Sequence, residues 1–414
     1  MGTYRIVGGA PLEGDVPIHG AKNSVLPILA ATLVTANTCV LDNCPEISDV
    51  DDALELLRCL GCAAERTGGT VRVDTAAARL AELPAALMQR MRAAILFLGA
   101  MLTRFGAATL SYPGGCRLGK RPIDLHLRGL RLMGAVCREE GEQLDCSAAA
   151  LRGCTIVLPF PSVGATENLL LAALGCAGEV VLCNAAKEPE IADLIGFLRA
   201  CGAEIVGDGT SVLRIRGQQA LHGAHYRILP DRMEAATYLA AAAATRGRLR
   251  LLDARAEHLE AVLQVLHRSG CEITEERNAL TLKCRALAAV SPIVTAPYDG
   301  FPTDAQAPVM AAMATAEGDS LMEETVFSDR FAHVPALRAM GAHITTVGRL
   351  ALVRGGRLHG AAVTATDLRG GAAMVLAALG AEGESTVGAT EHLERGYTAL
   401  VPILRECGAE ITAI

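Results

Sequence analysis

A phrase made of leucine, three variable residues, glycine and a small residue occurs six times in this chain. It reads Leu57-Arg58-Cys59-Leu60-Gly61-Cys62, Leu130-Arg131-Leu132-Met133-Gly134-Ala135, Leu198-Arg199-Ala200-Cys201-Gly202-Ala203, Leu266-His267-Arg268-Ser269-Gly270-Cys271, Leu337-Arg338-Ala339-Met340-Gly341-Ala342 and Leu404-Arg405-Glu406-Cys407-Gly408-Ala409. Its glycines are 73, 68, 68, 71 and 67 residues apart. Glycine at such a place ends a helix, because it adopts the left-handed cap conformation without a Cβ penalty. The residues after it, as in Ala203-Glu204-Ile205-Val206, read as a strand. So long a period does not suit a short-repeat solenoid and suits a compact α/β unit used six times.

Upstream of each phrase lies an Ala/Leu-rich helix, beginning near Asn23, Arg92, Asn168, Glu234, Gln306 and Arg369. Each unit therefore reads helix, strand, helix, strand, strand. The expected fold is α/β, with two similar domains of three units: residues 22–229, and residues 1–21 plus 230–414. Residues 4–18 read as a strand pair that completes the last unit, and the chain crosses between domains near residues 20 and 230.

Charge and composition remove several function classes. With 38 basic against 45 acidic residues the net charge is −7, which excludes a general nucleic-acid binder. Aromatic residues make up 3% and tryptophan is absent, so stacking platforms for single strands are missing. Fourteen scattered cysteines without a preceding secretory signal are expected to be reduced, buried thiols of a cytoplasmic protein. Cys59 and Cys62 form a C-x-x-C, but no second pair follows at zinc-site spacing, so it reads as part of the repeated turn. Residues 23–41 carry no charge, yet Asn23, Ser24, Pro27, Thr32, Thr35, Asn37 and Thr38 interrupt them, which argues against a membrane span. No metal or organic cofactor is implied.

Chemistry concentrates in residues 114–126, where Cys116 sits between glycine turns with Arg117, Lys120 and Arg121 close behind. Neighbouring cations favour thiolate and attract anions. Gly114 to Lys120 also fits the phosphate-cradling G-x-x-x-x-G-K, but Arg121 stands where a magnesium-binding hydroxyl belongs, so an ATPase is rejected. Cations recur where the Ala/Leu-rich helices start: Lys22, Arg92, Arg232 and Arg369. There they oppose the helix dipole, which suggests an anionic ligand. Asp231, Asp304 and Asp367 at the same places read as N-terminal caps.

Eight stretches taken together carry a resemblance: Gly20-Ala21-Lys22-Asn23, the Cys116 loop through His126, Ser162-Val163-Gly164-Ala165-Thr166, Asn184 to Glu190, Phe301-Pro302-Thr303-Asp304, Glu324-Thr325-Val326-Phe327, Asp367-Leu368-Arg369 and His392 to Tyr397. In order and over the whole chain, the sequence resembles the enolpyruvyl transferase family that acts on UDP-N-acetylglucosamine. The resemblance implies an inside-out α/β barrel fold with the active site in the interdomain cleft. It also implies transfer of enolpyruvyl from phosphoenolpyruvate to a sugar 3-hydroxyl with loss of phosphate, in bacterial peptidoglycan synthesis. By the same resemblance, Cys116 delivers a proton and is the thiol open to fosfomycin, and Asp304 is the base. Lys22, Asn23, Arg121 and Arg395 are expected around phosphoenolpyruvate. Asn23, Arg92, Arg121, Pro122, Ile123, Asp124, Leu125, Ser162, Val163, Gly164, Asp304 and Val326 are expected around the nucleotide sugar. Arg232, Arg369, Glu188, Glu190 and His392 are expected in support, or in plain salt bridges. Phe160-Pro161, Ser328-Asp329 and Gly370-Gly371 depart from the family pattern and bear on affinity. Two alternatives stay open, a shikimate 3-phosphate enolpyruvyl transferase and a catalytically silent nucleotide-sugar-binding regulator.

Overall fold

All six repeated phrases close a helix in one way. The residue after each glycine donates its N–H to the carbonyl of the phrase's leucine, at 2.9–3.1 Å: Cys62 to Leu57, Ala135 to Leu130, Ala203 to Leu198, Cys271 to Leu266, Ala342 to Leu337 and Ala409 to Leu404. The six glycines have φ between +81° and +98°, the left-handed region that this closure demands. All six leucines are buried. In five units the arginine after the leucine reaches a carbonyl of the next segment: Arg58 to Ala64, Arg131 to Cys137, Arg199 to Ile205, Arg338 to Ile344 and Arg405 to Ile411. One six-residue phrase thus ends the helix, anchors it in the core and aims the following strand.

The computed structural model describes residues 2–112 and 123–414. In the first five units the phrase leads into an antiparallel hairpin, such as Ala63–Thr67 with Thr70–Asp74 or Val136–Glu140 with Gln143–Ser147. The hairpin's second strand pairs antiparallel with the strand that comes after the Ala/Leu-rich helix, as Thr70–Asp74 does with Thr38–Asp42. Among the described residues, five of the six sheets also hold a short parallel strand: His225–Arg227, Thr155–Val157, Glu13–Pro17, Ile293–Val294 and Ala362–Thr364. At two to five residues, these strands are too brief to show alternation in the sequence.

The expected N-terminal strand pair is divided. Thr3–Val7 lies between Glu384–Gly388 and Glu410–Ala413 and completes the sixth sheet. Glu13–Pro17 instead runs parallel to Arg248–Leu252 in the fourth. Spacing within one chain segment does not reveal which distant edge each strand will meet.

Two compact units result, one formed by residues 2–19 and Pro230–Ile414, the other by residues 20–112 and 123–229, each with its own apolar core. In the former, helices Arg232–Ala244, Thr303–Met313 and Leu368–Gly380 pack on one another, and all residues of the first are buried. In the latter, Lys22–Thr32, Leu96–Phe105 and Val163–Ala173 occupy the corresponding places. Buried over most of their length, such helices show no continuous polar face and depend on small residues. At Gly99 a Cβ would lie 2.2 Å from the Asn168 carbonyl oxygen, so only glycine permits that helix crossing. No helix of the described residues is long and apolar enough to cross a membrane.

Candidate active site

Helix Thr303–Met313 starts without a side-chain cap, its N-cap being Pro302. Asp304, read from sequence as a cap, does something else. Its Oδ1 accepts Arg330 Nη2 at 2.8 Å and its Oδ2 accepts Arg369 Nε at 3.3 Å. Asp231 and Asp367 do cap: Asp231 accepts the N–H groups of Met233 and Glu234, and Asp367 those of Arg369 and Gly370. The three aspartates look alike in sequence, and the partners of Asp304 come from 26 and 65 residues away.

Both guanidiniums are 3% exposed while the Asp304 side chain is 30% exposed, so a solvent-reaching carboxylate is fixed from behind by two buried cations. Arg330 also donates to the Thr303 carbonyl and lies over the Phe327 ring. Arg369 donates to the Tyr397 hydroxyl at 2.9 Å, and that hydroxyl meets Thr237 Oγ1 at 2.9 Å. Burial disfavours the charge of Arg369, but Tyr397, Asp304 and Asp231 outweigh it and hold its pKa above the ordinary value. The sequence singles out Arg369 but assigns nothing to Arg330; a single arginine beside a phenylalanine carries no local signal.

Glu324 organises the next stretch. Its Oε1 accepts the N–H groups of Val326 at 2.8 Å and Phe327 at 3.0 Å and the hydroxyl of Thr295, while Oε2 accepts Thr303 Oγ1. One buried carboxylate therefore ties the Val326 turn to the first turn of the Asp304 helix. Arg232, next in the chain to the cap Asp231, stacks over Tyr298 at 5.3 Å. His392 and Arg395 are half-buried in and just after the short helix Glu391–Glu394, shortly before Tyr397.

The other unit holds a second cluster. Lys22 opens helix Lys22–Thr32, and its Nζ lies 2.6 Å from Asp49 Oδ2. Lys22, read from sequence as a cation that opposes the helix dipole, has its charge met by a carboxylate from helix Ser48–Cys59. Asn23 beside it is exposed. Around His126 several expected residues converge. Asn168 Nδ2 lies 3.0 Å from His126 Nδ1, and a Cβ at Gly164 would stand 3.5 Å from the imidazole. Burial, followed by the charge of Arg92, lowers the His126 pKa to about 4. Asp124 and Leu125 begin the helix that carries His126, after Ile123 at its N-cap. Ser162 caps helix Val163–Ala173 by accepting the Ala165 N–H. Gly164 by its position and Arg92 by its charge thus meet at one imidazole, while Asp124 and Leu125 open its helix and Ser162 caps the helix of Gly164.

A carboxylate group lies beside it in the same unit. Glu167 is buried, and burial together with Glu190 and Glu188 raises its pKa well above the ordinary value. Glu188 and Glu190 start helix Pro189–Ala200. Sequence reading names both but misses Glu167, whose place inside an apolar helix is the available signal. Cys116, Arg121 and Pro122 lie outside the described residues.

Six copies of one α/β unit around buried helices, with cations and a braced aspartate at helix N-termini, define a class rather than a single reaction. The model for EPSP synthase (3-phosphoshikimate 1-carboxyvinyltransferase) matches residues 6–404, and the chain belongs to that family. The similarity is closer to one branch of it. The chain is 46% identical over 416 residues, covering all of both chains, to UDP-N-acetylglucosamine 1-carboxyvinyltransferase 2 of Caldanaerobacter subterraneus subsp. tengcongensis. It is 47% identical to UDP-N-acetylglucosamine 1-carboxyvinyltransferase of Acidiphilium cryptum, covering 99% of each. Among solved structures it resembles the enolpyruvyl transferase NikO from Streptomyces tendae, with TM-score 0.91 and 28% identity over 100% of this chain and 98% of that one. EPSP synthase from Acinetobacter baumannii shares the fold, with TM-score 0.77 and 20% identity over the whole of both chains.

Proposed function

We propose that this protein transfers the enolpyruvyl group of phosphoenolpyruvate to the 3-hydroxyl of UDP-N-acetylglucosamine and releases phosphate, the committed step of peptidoglycan synthesis. The observation that carries this reading is the full-length identity of 46% to relatives bearing that activity's name. Addition of the alcohol across the double bond requires a proton at the methylene carbon and loss of the hydroxyl proton; elimination then expels phosphate.

In this reading Cys116 supplies the proton to the methylene carbon and Asp304 accepts the one from the sugar hydroxyl. Two guanidiniums on Asp304 support its role, since they fix the direction of its lone pairs and keep a carboxylate at that point. Lys22, Arg121 and Arg395 neutralise phosphoenolpyruvate, and the Asn23 amide offers it a hydrogen bond. Lys22 shares its charge between the ligand and Asp49, which holds the ammonium in position before substrate arrives. Arg92, Pro122, Ile123, Asp124, Leu125, Ser162, Val163, Gly164 and Val326 receive the nucleotide sugar. Arg232, Arg369, Glu188, Glu190 and His392 support these groups, and residues 22–229 and 1–21 plus 230–414 are the two three-repeat domains. The protein acts in the cytoplasm, serves cell-wall growth and division, and is a target of fosfomycin through Cys116.

The test is phosphate release from purified protein given phosphoenolpyruvate with UDP-N-acetylglucosamine, with shikimate 3-phosphate, or alone, alongside Cys116→Ala. Release that requires the nucleotide sugar and falls sharply in the variant is expected. Release with shikimate 3-phosphate would move the protein to that branch. Binding of nucleotide sugar without release would make it a silent regulator.

A further inference from the structure

The hairpin Val136–Glu140 with Gln143–Ser147 turns through two residues, Gly141 and Glu142, with Gly141 at φ +63°. A two-residue turn makes Glu140 and Gln143 the first hydrogen-bonded pair, and bonded and non-bonded pairs then alternate along the ladder. Cys137 stands opposite Cys146 in this register, at a non-hydrogen-bonded pair. Such pairs bring Cα atoms to about 4.5 Å with both side chains on one face, inside the roughly 4.4–6.8 Å window of disulfides. The two thiols lie close enough to shift one another's pKa. Cys146 is buried, and Cys137 is half-buried at the sheet's edge.

The surroundings favour attack by Cys137. The neighbouring Cys146, opposed by burial and aided by the Arg131 guanidinium, holds the Cys137 thiol below its ordinary pKa, while Glu139 works the other way. Arg131 stays close because it donates to the Cys137 carbonyl and to Glu139. Among the described residues, Asp145 and Tyr112 complete the charged and titratable groups around the pair. Cys146 is held above the ordinary thiol range by Cys137 beside it and by burial.

We propose that Cys137 and Cys146 form a redox modification site, a dithiol that closes to a disulfide by exchange with a low-molecular-weight disulfide. The Cys137 thiolate attacks one sulfur of that reagent and expels the other half as a thiolate. The Cys146 thiol then loses its proton, attacks Cys137 Sγ and expels the second half. Two protein thiols are oxidised and one reagent disulfide is reduced to two thiols, with electrons and protons in balance.

The same molecule contains two comparison pairs. Cys271 and Cys284 extend the register one step beyond Glu272 and Lys283 and shift one another's pKa, but both are 2% exposed. Cys39 and Cys201 also shift one another's pKa and are fully buried. Proximity is shared by all three pairs, and access belongs to Cys137 alone.

The experiment incubates the reduced, folded full chain with oxidised glutathione at neutral pH, quenches with an alkylating agent and maps tryptic peptides without reductant. Cleavage at Arg138 places Cys137 in peptide 132–138 and Cys146 in peptide 139–152, so the bridge appears as a linked pair. The expected result is that this pair accumulates at least about ten times sooner than links in the two buried pairs and disappears with dithiothreitol. Cys146→Ala should stop at a glutathione adduct on Cys137. Full alkylation of Cys137 and Cys146 in the folded chain, a link formed only in denaturant, or equal rates for all three pairs would each overturn the proposal. These outcomes are read on the unaltered chain, so they stand even if the variant does not fold.

Discussion

Asp304 shows what a single residue can and cannot disclose. Its neighbours in sequence suit a cap, whereas the orientation that the proposed acid–base role needs comes from Arg330 and Arg369. Asp304→Asn keeps an acceptor but loses the basic oxygen, so phosphate release should fall by about a hundredfold or more while ligand binding is retained. Stopped assays with labelled phosphoenolpyruvate, read beside nucleotide-sugar binding, check this. Arg330→Gln removes one of two braces and leaves Asp304 partnered by Arg369. We expect a drop of about tenfold in kcat with a smaller change in KM, and a KM effect alone would contradict a positioning role.

At the scale of elements, helix ends divide the labour. Asp231, Asp367 and Ser162 satisfy free N–H groups, and the Thr303–Met313 helix leaves that task undone so that its aspartate can face outward. Asp367→Ala should cost about 1 kcal/mol in urea unfolding. Gly202→Ala places a Cβ at φ +97°, with the His222 ring 3.3 Å away, and should cost about 1 kcal/mol or somewhat more. A neutral result there would mean that the phrase's glycine is not needed for its helix closure. Glu324→Gln retains size but loses an acceptor for four donors; weakened nucleotide-sugar binding with a modest loss of stability is the expected outcome in calorimetry.

For the whole molecule, two buried histidines, one in each unit, set the response to acid. His126 and His333 are both held at about 4, in each case chiefly by burial. Between about pH 6.5 and pH 4 the unfolded chain binds these protons and the folded chain does not, so stability falls with pH across that window, by up to about 3 kcal/mol per histidine. Glu167 has the opposite sign: its raised pKa penalises the fold at high pH, and the penalty fades as pH falls. Denaturation midpoints over this range should therefore slope downward toward acid. Glu167→Gln should be no less stable than the parent at neutral pH and should steepen that slope.

The amino-acid sequence alone determined the six-fold repeat, the places where its helices end and the positions of Lys22, Arg92, Arg232, Arg369 and Asp304 at helix starts. Those features are local, since a helix cap or an apolar period is complete within about ten residues. Only the tertiary structure decided that Asp304 is braced, that Asp49 answers Lys22, that Glu167 joins Glu188 and Glu190, and that the N-terminal strands serve two different sheets. Each of these depends on a partner distant in the chain. Burial makes such partners obligatory for charges, but local sequence does not say which of several arginines or carboxylates the fold will bring there.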